Sequence, residues 1–229
     1  MLLSKFKARL RKIQSRGYIS TKRKGNTGIG YTFESLLGLK ENNIRIPDLG
    51  NIELKTKRRN TSSKVTMFTF NRGAWIVPLS EVIKKYGYFD KYERHALKCT
   101  VSIKPNPQGL YLRTTRKDLQ LHNLKKDIIA SWKSDILMDY FSRKLPSLII
   151  VTADTRRNSR GREEFHYSEA YLLNYPSKQG LLKLIDKGYI VVDLRMHLTK
   201  SRQVRNRGTA FRIAEENLLR CFKKVTKLL

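Results

Sequence analysis

The residues best placed to do chemistry are Asp48, Glu53 and Lys55, in the run Pro47-Asp48-Leu49-Gly50-Asn51-Ile52-Glu53-Leu54-Lys55. Along a strand, side chains alternate between faces. Ile52 and Leu54 therefore turn toward a core, Glu53 and Lys55 share the opposite face, and the Pro47–Gly50 turn lets Asp48 approach the same point. Two carboxylates held close together repel unless a cation sits between them. Oxygen ligands of this kind suit Mg²⁺, with Mn²⁺ able to substitute. Such an ion polarises a phosphate and lowers the pKa of a bound water. The Lys55 ammonium would orient that water or stabilise charge developing in the transition state. The chemistry in question is phosphodiester hydrolysis. An ordinary solvated strand face has the same spacing, and spacing alone favours it. The Ile52/Leu54 alternation and the charge of the whole chain reverse that preference.

That charge is large: 48 Lys and Arg oppose 19 Asp and Glu, a formal net charge of +29 on 229 residues. Self-repulsion of this size is relieved by a polyanion, and nucleic acid is the default partner. A membrane surface is the competing polyanion, but no apolar run approaches the ~18 residues of a spanning helix. Met1–Arg16 is basic and amphipathic without the apolar centre and cleavage site of a secretory signal. Two cysteines, Cys99 and Cys221, are too few for a disulfide framework and lack zinc spacing, so free thiols in a reducing cytoplasm are expected.

The elements that must position the motif read as one α/β domain with a central mixed sheet flanked by helices. Leu3, Phe6, Leu10 and Ile13 form one face of a first helix that ends at Gly17. A basic Gly-rich loop, Thr21–Gly30, leads to a short helix carrying Phe33, Glu34, Leu36 and Leu37. Val65–Phe70 and Leu97–Lys104 read as strands, Ser80–Tyr86 as a helix stopped by Gly87, and Ser134–Lys144 as another helix. Ser147–Ala153 is nearly all apolar and suits a buried central strand. Ser168 is expected to cap a helix holding Tyr171 and Leu172. Leu181–Lys187 reads as a helix, Tyr189–Met196 and Thr209–Ile213 as strands, and a C-terminal helix is expected from about Ala214.

Several motifs in one order extend the reading. The run Thr21–Gly30, then Thr32-Phe33-Glu34, Glu41-Asn42-Asn43-Ile44, the Asp48…Glu53-Leu54-Lys55 motif, Phe165-His166-Tyr167, Val192-Asp193-Leu194-Arg195 and Arg207–Ile213 resembles the MvaI/BcnI family of restriction endonucleases, relatives of the mismatch-repair nicking enzyme MutH. About Gly73–Asp135 matches least. The resemblance implies a restriction-endonuclease-like fold in a single domain, with a DNA cleft between two lobes. The catalytic lobe would take roughly residues 1–72 with parts of the middle, and the recognition lobe roughly 145–229. It implies Asp48, Glu53 and the backbone carbonyl of Leu54 as metal ligands, Lys55 as the catalytic lysine, and Glu34 as an auxiliary carboxylate.

The resemblance also implies a monomer that nicks one strand per binding event at a short, nearly symmetric site of the CC-N-GG kind. One branch of the family places histidines where Thr69 and Ala210 stand here, so this chain resembles the branch reading a central A·T or T·A pair, and CCWGG is the expected site. Asp193 and Arg195 share a strand face and could read a C·G pair. A local Asp193–Arg195 ion pair is equally easy from the spacing, and the family similarity tips the reading toward bases. Arg207 and Arg212 fall in a second recognition segment, while Lys22, Arg23, Lys24, Lys200, Arg202 and Arg205 suit phosphates. His166 and His197 have no metal-like companions and stay unassigned. A cognate DNA methyltransferase acting on the same site would be a partner. The competing readings are a MutH-like repair nickase and a non-catalytic basic nucleic-acid-binding protein.

Overall fold

The computed structural model describes residues 3–39, 52–59, 64–70 and 74–229. In chain order its elements are α1 (Leu3–Gln14), β1 (Ile19–Ser20), α2 (Gly28–Leu36), β2 (Ile52–Arg58), β3 (Lys64–Thr69), α3 (Leu79–Tyr86), β4 (Tyr88–Phe89), β5 (His95–Val101), β6 (Tyr111–Thr114), β7 (Asp118–His122) and β8 (Ile128–Lys133). There follow α4 (Ser134–Lys144), β9 (Ser147–Arg157), β10 (Glu163–Pro176), α5 (Lys178–Asp186), β11 (Ile190–Leu198), β12 (Val204–Asn206), β13 (Ala210–Ala214), α6 (Glu215–Leu218) and β14 (Phe222–Lys227). No described helix is long and apolar enough to cross a membrane.

The chain forms two compact units. The first comprises Met1–Ser62, Leu145–Pro176 and Phe222–Leu229; the second comprises Ser63–Lys144 and Ser177–Cys221. This division differs from the sequence expectation, which gave 145–229 to one lobe: β9 and β10 pack with β2 because β2 pairs with β9 in parallel, from Ile52↔Ser147 to Arg58↔Ala153.

In the first unit a five-stranded sheet runs β1-β10-β9-β2, with β14 also on β10. Its pairings are antiparallel except β2 with β9. The apolar run Leu148–Ala153 makes β9 buried throughout that stretch, as a central strand requires. Leu54, Ile149, Val151, Phe165 and Tyr167 join Phe6, Leu10 and Ile13 of α1 and Ile29 and Phe33 of α2 in one core. Gly17, at φ +65°, ends the first helical stretch as expected.

Two expectations fail here. Ser168 caps no helix: it lies within β10, beside a register shift between Tyr167 and Glu169, and its hydroxyl donates to Asp154 at 2.5 Å. The segment's local pattern admits a helix, but pairing with β9 along the strand overrides it. The C-terminal helix lasts only Glu215–Leu218, and Phe222–Lys227 then pairs with β10.

The second unit holds a six-stranded antiparallel sheet in the order β3-β13-β11-β5-β4, with β12 on β11, and a three-stranded meander β6-β7-β8. Phe68 stacks on Phe211 with ring centroids 4.7 Å apart, and Trp132 meets Phe211 edge-on. The mixed α/β class holds. The expected mixed sheet is the one of the first unit, where β2 pairs in parallel with β9.

Candidate active site

Leu54 fixes how β2 sits. Its side chain is 5% exposed and belongs to the core, so Glu53 and Lys55 project from the other face. Their side chains are 29% and 26% exposed, and Lys55 Nζ lies 2.8 Å from Glu53 Oε1. The acid–Leu–base spacing thus brings the two charged groups together as expected. Asp48 and the Glu41–Ile44 run lie outside the described residues. Among the described residues no group of three potential ligand side chains gathers.

Three other carboxylates of this unit are engaged by arginines. Glu163 accepts from Arg58 at 2.6 and 2.9 Å, Glu164 from Arg156 at 2.8 Å, and Asp154 from Arg59 at 2.6 Å and from Ser168. The Arg58 hydrogen bond holds Glu163 below its ordinary range, and the Ser168 bond, then Arg59, does the same for Asp154. Glu53 instead meets the lysine that its own motif supplies.

Helix α2 is clamped to this sheet. Tyr167, buried, donates its hydroxyl to the Ile29 carbonyl at 2.9 Å, and burial pushes that hydroxyl's pKa far up, with smaller increments from Glu163 and Glu34. Gly30 packs against Thr56: a Cβ there would stand 3.3 Å from Thr56 Oγ1 and 3.7 Å from Glu34 Oε1. Glu34 is therefore held one turn along from the helix's contact with β2. These contacts do not by themselves join it to the Glu53–Lys55 pair.

The basic loop before α2 is shaped by its glycines and by arginine. A Cβ on Gly28 would collide with the Arg23 carbonyl oxygen, so the loop closes only over glycine. Lys22 donates its backbone N–H to Thr32 Oγ1, and the Arg23 guanidinium stacks 3.8 Å over the Tyr31 ring. The Lys22 and Lys24 side chains are exposed.

In the second unit, β11 presents Asp193 and Arg195 on one face with buried Leu194 between them. They do not pair with each other. Asp193 accepts from Arg212 at 2.6 Å and from Thr100 at 2.7 Å. Arg195 donates to the Gly208 and Arg207 carbonyls and to Thr69 Oγ1, at 3.2 to 3.4 Å. The local ion pair that the spacing allowed is absent because Arg212 arrives from β13, where Val191↔Arg212 and Asp193↔Ala210 are cross-strand partners. Thr69 and Ala210 also face each other, as Cα partners of β3 and β13. Arg207 is exposed, and its backbone N–H donates to the Arg195 carbonyl.

The family model for the MvaI/BcnI restriction endonucleases matches residues 7–222. The chain belongs to the MvaI/BcnI restriction endonuclease family. Among solved structures, the complex of restriction endonuclease MvaI with its cognate DNA substrate is 27% identical, with all of both chains covered and a TM-score of 0.79. MvaI in the absence of DNA is 26% identical, with 99% of this chain and 97% of that one covered and a TM-score of 0.60. No curated protein matches the chain.

Two neighbours of the family's Asp193-Leu194-Arg195 segment escaped the sequence reading. Thr100 holds Asp193, and Lys98 is the cross-strand partner of Arg195, itself tied to Asp90 at 2.7 Å. Both lie on the polar face of the Leu97–Lys104 alternation, so the signal existed; which strand lies beside β11 did not show in it. His197 is 5% exposed, and burial, with Arg94, Lys98, Arg205 and Arg207 around it, lowers its pKa. Its imidazole is thus neutral at neutral pH. Burial raises Cys99 to about 11 and Cys221 to about 12, so both thiols stay protonated.

Proposed function

We propose that this family member is a type II endonuclease that hydrolyses double-stranded DNA with a divalent metal, Mg²⁺ by preference, at a short pseudosymmetric site of the CC-N-GG kind, CCWGG in particular. The observation that carries this is the Glu53–Lys55 pair on one face of β2, with Leu54 buried between, inside a family match covering almost the whole chain. The related MvaI structure, a complex with its cognate DNA substrate, supports duplex DNA as the partner.

The donor chemistry fits a hard cation: a partly exposed Glu53 carboxylate and the neighbouring Leu54 carbonyl, with Asp48 as the further carboxylate that the family resemblance implies. A metal held there supplies Lewis acidity and a water of lowered pKa. Lys55 places a fixed positive charge within reach of whatever Glu53 binds, where it orients the attacking water and neutralises charge on the phosphate oxygen. Glu34, on the helix clamped against β2, serves as the auxiliary carboxylate. Lys22, Arg23 and Lys24 carry phosphates.

Sequence is read on β11 and β13. A carboxylate has lone pairs for about four donors, so Asp193 can take a cytosine amino group while keeping Arg212 and Thr100. Arg195 holds only long hydrogen bonds and can trade them for guanine. Arg212 Nε is buried without a protein partner, Arg207 is exposed, and Thr69 opposite Ala210 fits the central pair. The protein acts in the cytoplasm as a monomer, nicking one strand per encounter, with a methyltransferase protecting the host site.

Digestion of unmethylated plasmid with Mg²⁺, wild type beside Lys55→Ala, followed by end sequencing, tests this. Wild-type fragments sharing one short motif, open circles preceding linear product, and loss of both on chelation are expected. Equal cleavage by the two proteins, or none by either, rejects the assignment. A requirement for a partner ATPase moves it to repair.

A further inference from the structure

The hairpin between β9 and β10 is built more carefully than a surface turn needs to be. Asn158 donates its backbone N–H to the Arg162 carbonyl, and Gly161 returns one to the Asn158 carbonyl, both at 2.9 Å. Asn158 Oδ1 accepts from the backbone of Arg160 and Arg162 at 3.0 Å, and its amide donates to Glu164. Gly161 sits at φ +70°, the left-handed position that closes a three-to-five-residue hairpin turn. The tip is therefore stiff.

It is also cationic. Of its four arginines, Arg156 is spent on Glu164 and on the Tyr18 ring 4.1 Å away. Arg157, Arg160 and Arg162 are exposed, and among the described residues none has a carboxylate at ion-pairing distance; Arg157 donates only to the Gly161 carbonyl. Arg157 shares the field of its cross-strand partner Glu163, already paired with Arg58, so three guanidinium groups without an ion pair of their own crowd one short turn and repel each other. A rigid turn that keeps them together is suited to a multiply charged anion, and the guanidinium fork matches phosphate oxygens.

The hairpin's root is continuous with the loop assigned to phosphates. Thr21 donates its backbone N–H to the Glu163 carbonyl at 2.8 Å, and Ser20 its hydroxyl to Glu164 at 2.9 Å. Arg58, while paired with Glu163, also donates to the carbonyls of Gly25 and Asn26. Past Ala153, which faces the last residue of β2, the paired strands continue to Arg157. Four residues of strand span about 13 Å, roughly four base pairs of duplex at 3.4 Å each.

We propose that Arg157, Arg160 and Arg162 form a clamp on duplex phosphates flanking the cleaved site, an extension of the Lys22–Lys24 contact surface. This rests on the DNA-cleaving reading above. The clamp adds affinity without sequence information, so it contributes equally at cognate and unrelated flanks.

The test is equilibrium binding, metal omitted, over a range of salt, on a duplex trimmed to the cleaved site and on one with long flanks. With Arg157→Gln, Arg160→Gln and Arg162→Gln combined, the log–log salt slope on the long duplex should flatten by about two to three, at ~0.9 per phosphate released. The extra affinity that flanks give the wild type should vanish. A control with equal charge loss, Lys5→Gln, Arg11→Gln and Lys12→Gln on the exposed side of α1, should keep the wild-type slope. An unchanged slope in the hairpin variant overturns the clamp while leaving the nuclease reading intact. Equal flattening by the control overturns its location. A wild type that binds neither duplex overturns both readings.

Discussion

Two strands in this molecule carry the same three-residue pattern, Glu53-Leu54-Lys55 on β2 and Asp193-Leu194-Arg195 on β11. Each buries its leucine and turns its charged residues outward. On β2, last in its sheet's path, acid and base meet at 2.8 Å. On β11, flanked by β13 and β5, they separate: the acid goes to Arg212 and Thr100, the base to Thr69 and two backbone carbonyls. Spacing decides which face a side chain takes. The neighbouring strands decide whether it stays available for chemistry or is locked into a frame.

The sharpest way to break this contrast is to remove the two bases separately. Lys55→Ala should lower single-turnover cleavage by roughly 10³-fold, the scale for losing one stabilising donor in a transition state, while DNA affinity persists. Arg195→Ala should instead lose about 1–3 kcal/mol of discrimination between the cognate base and its substitutes. Cleavage at saturating DNA that collapses equally in both variants would erase the distinction.

Arg212→Ala probes the frame. It strips Asp193 of a 2.6 Å charged partner while leaving the acid, with only 14% of its side chain exposed, on the sheet. Hydrogen bonds to charged groups contribute about 1.5–3 kcal/mol, so urea unfolding should show a loss of about 2 kcal/mol. Adding Asp193→Asn should recover part of it. Wild-type stability for Arg212→Ala would mean that the pair on β11 frames nothing.

The smallest effect is a pH dependence of the unit holding β2. Glu163 and Asp154 are depressed below their ordinary values, so their contribution is full above the unfolded values of about 4.3 and 3.9 and is lost as pH falls through the folded ones. Thermal stability should therefore decline below about pH 4. Arg58→Ala, which removes the main cause at Glu163, should make the decline shallower. A profile unaltered by that substitution would detach the arginine network from the sheet's stability.

What the sequence displayed was local. The Ile52/Leu54 alternation, the apolar Ser147–Ala153 run and the helices stopped by Gly17 and Gly87 stand as read, and so does the Lys98/Thr100 face, although that strand ends at Val101 rather than at Lys104. Ser168–Leu172 misled because a helical pattern and a long strand interrupted by a bulge look alike until β9 is beside it. Arg212 was visible as a basic residue between Phe211 and Ile213, but its union with Asp193 needed β13 beside β11. The hairpin arginines drew no reading from the sequence, because the turn that groups them is closed by backbone bonds and by the Asn158 side chain, which no local pattern announces.

The parallel pairing of β2 with β9 also governs when an enzyme comes into being during synthesis. Glu53 and Lys55 leave the ribosome early, yet among the described residues the strand they ride has no strand partner until Ser147–Arg157 has been made, and β10 and β14 follow later still. Contacts so distant along the chain are slow to form, and domains assemble only once their segments have emerged. On the proposed reading, a nascent chain therefore carries Glu53 and Lys55 before the strand pairing that scaffolds them exists, and the sheet is complete only once Phe222–Lys227 has been made.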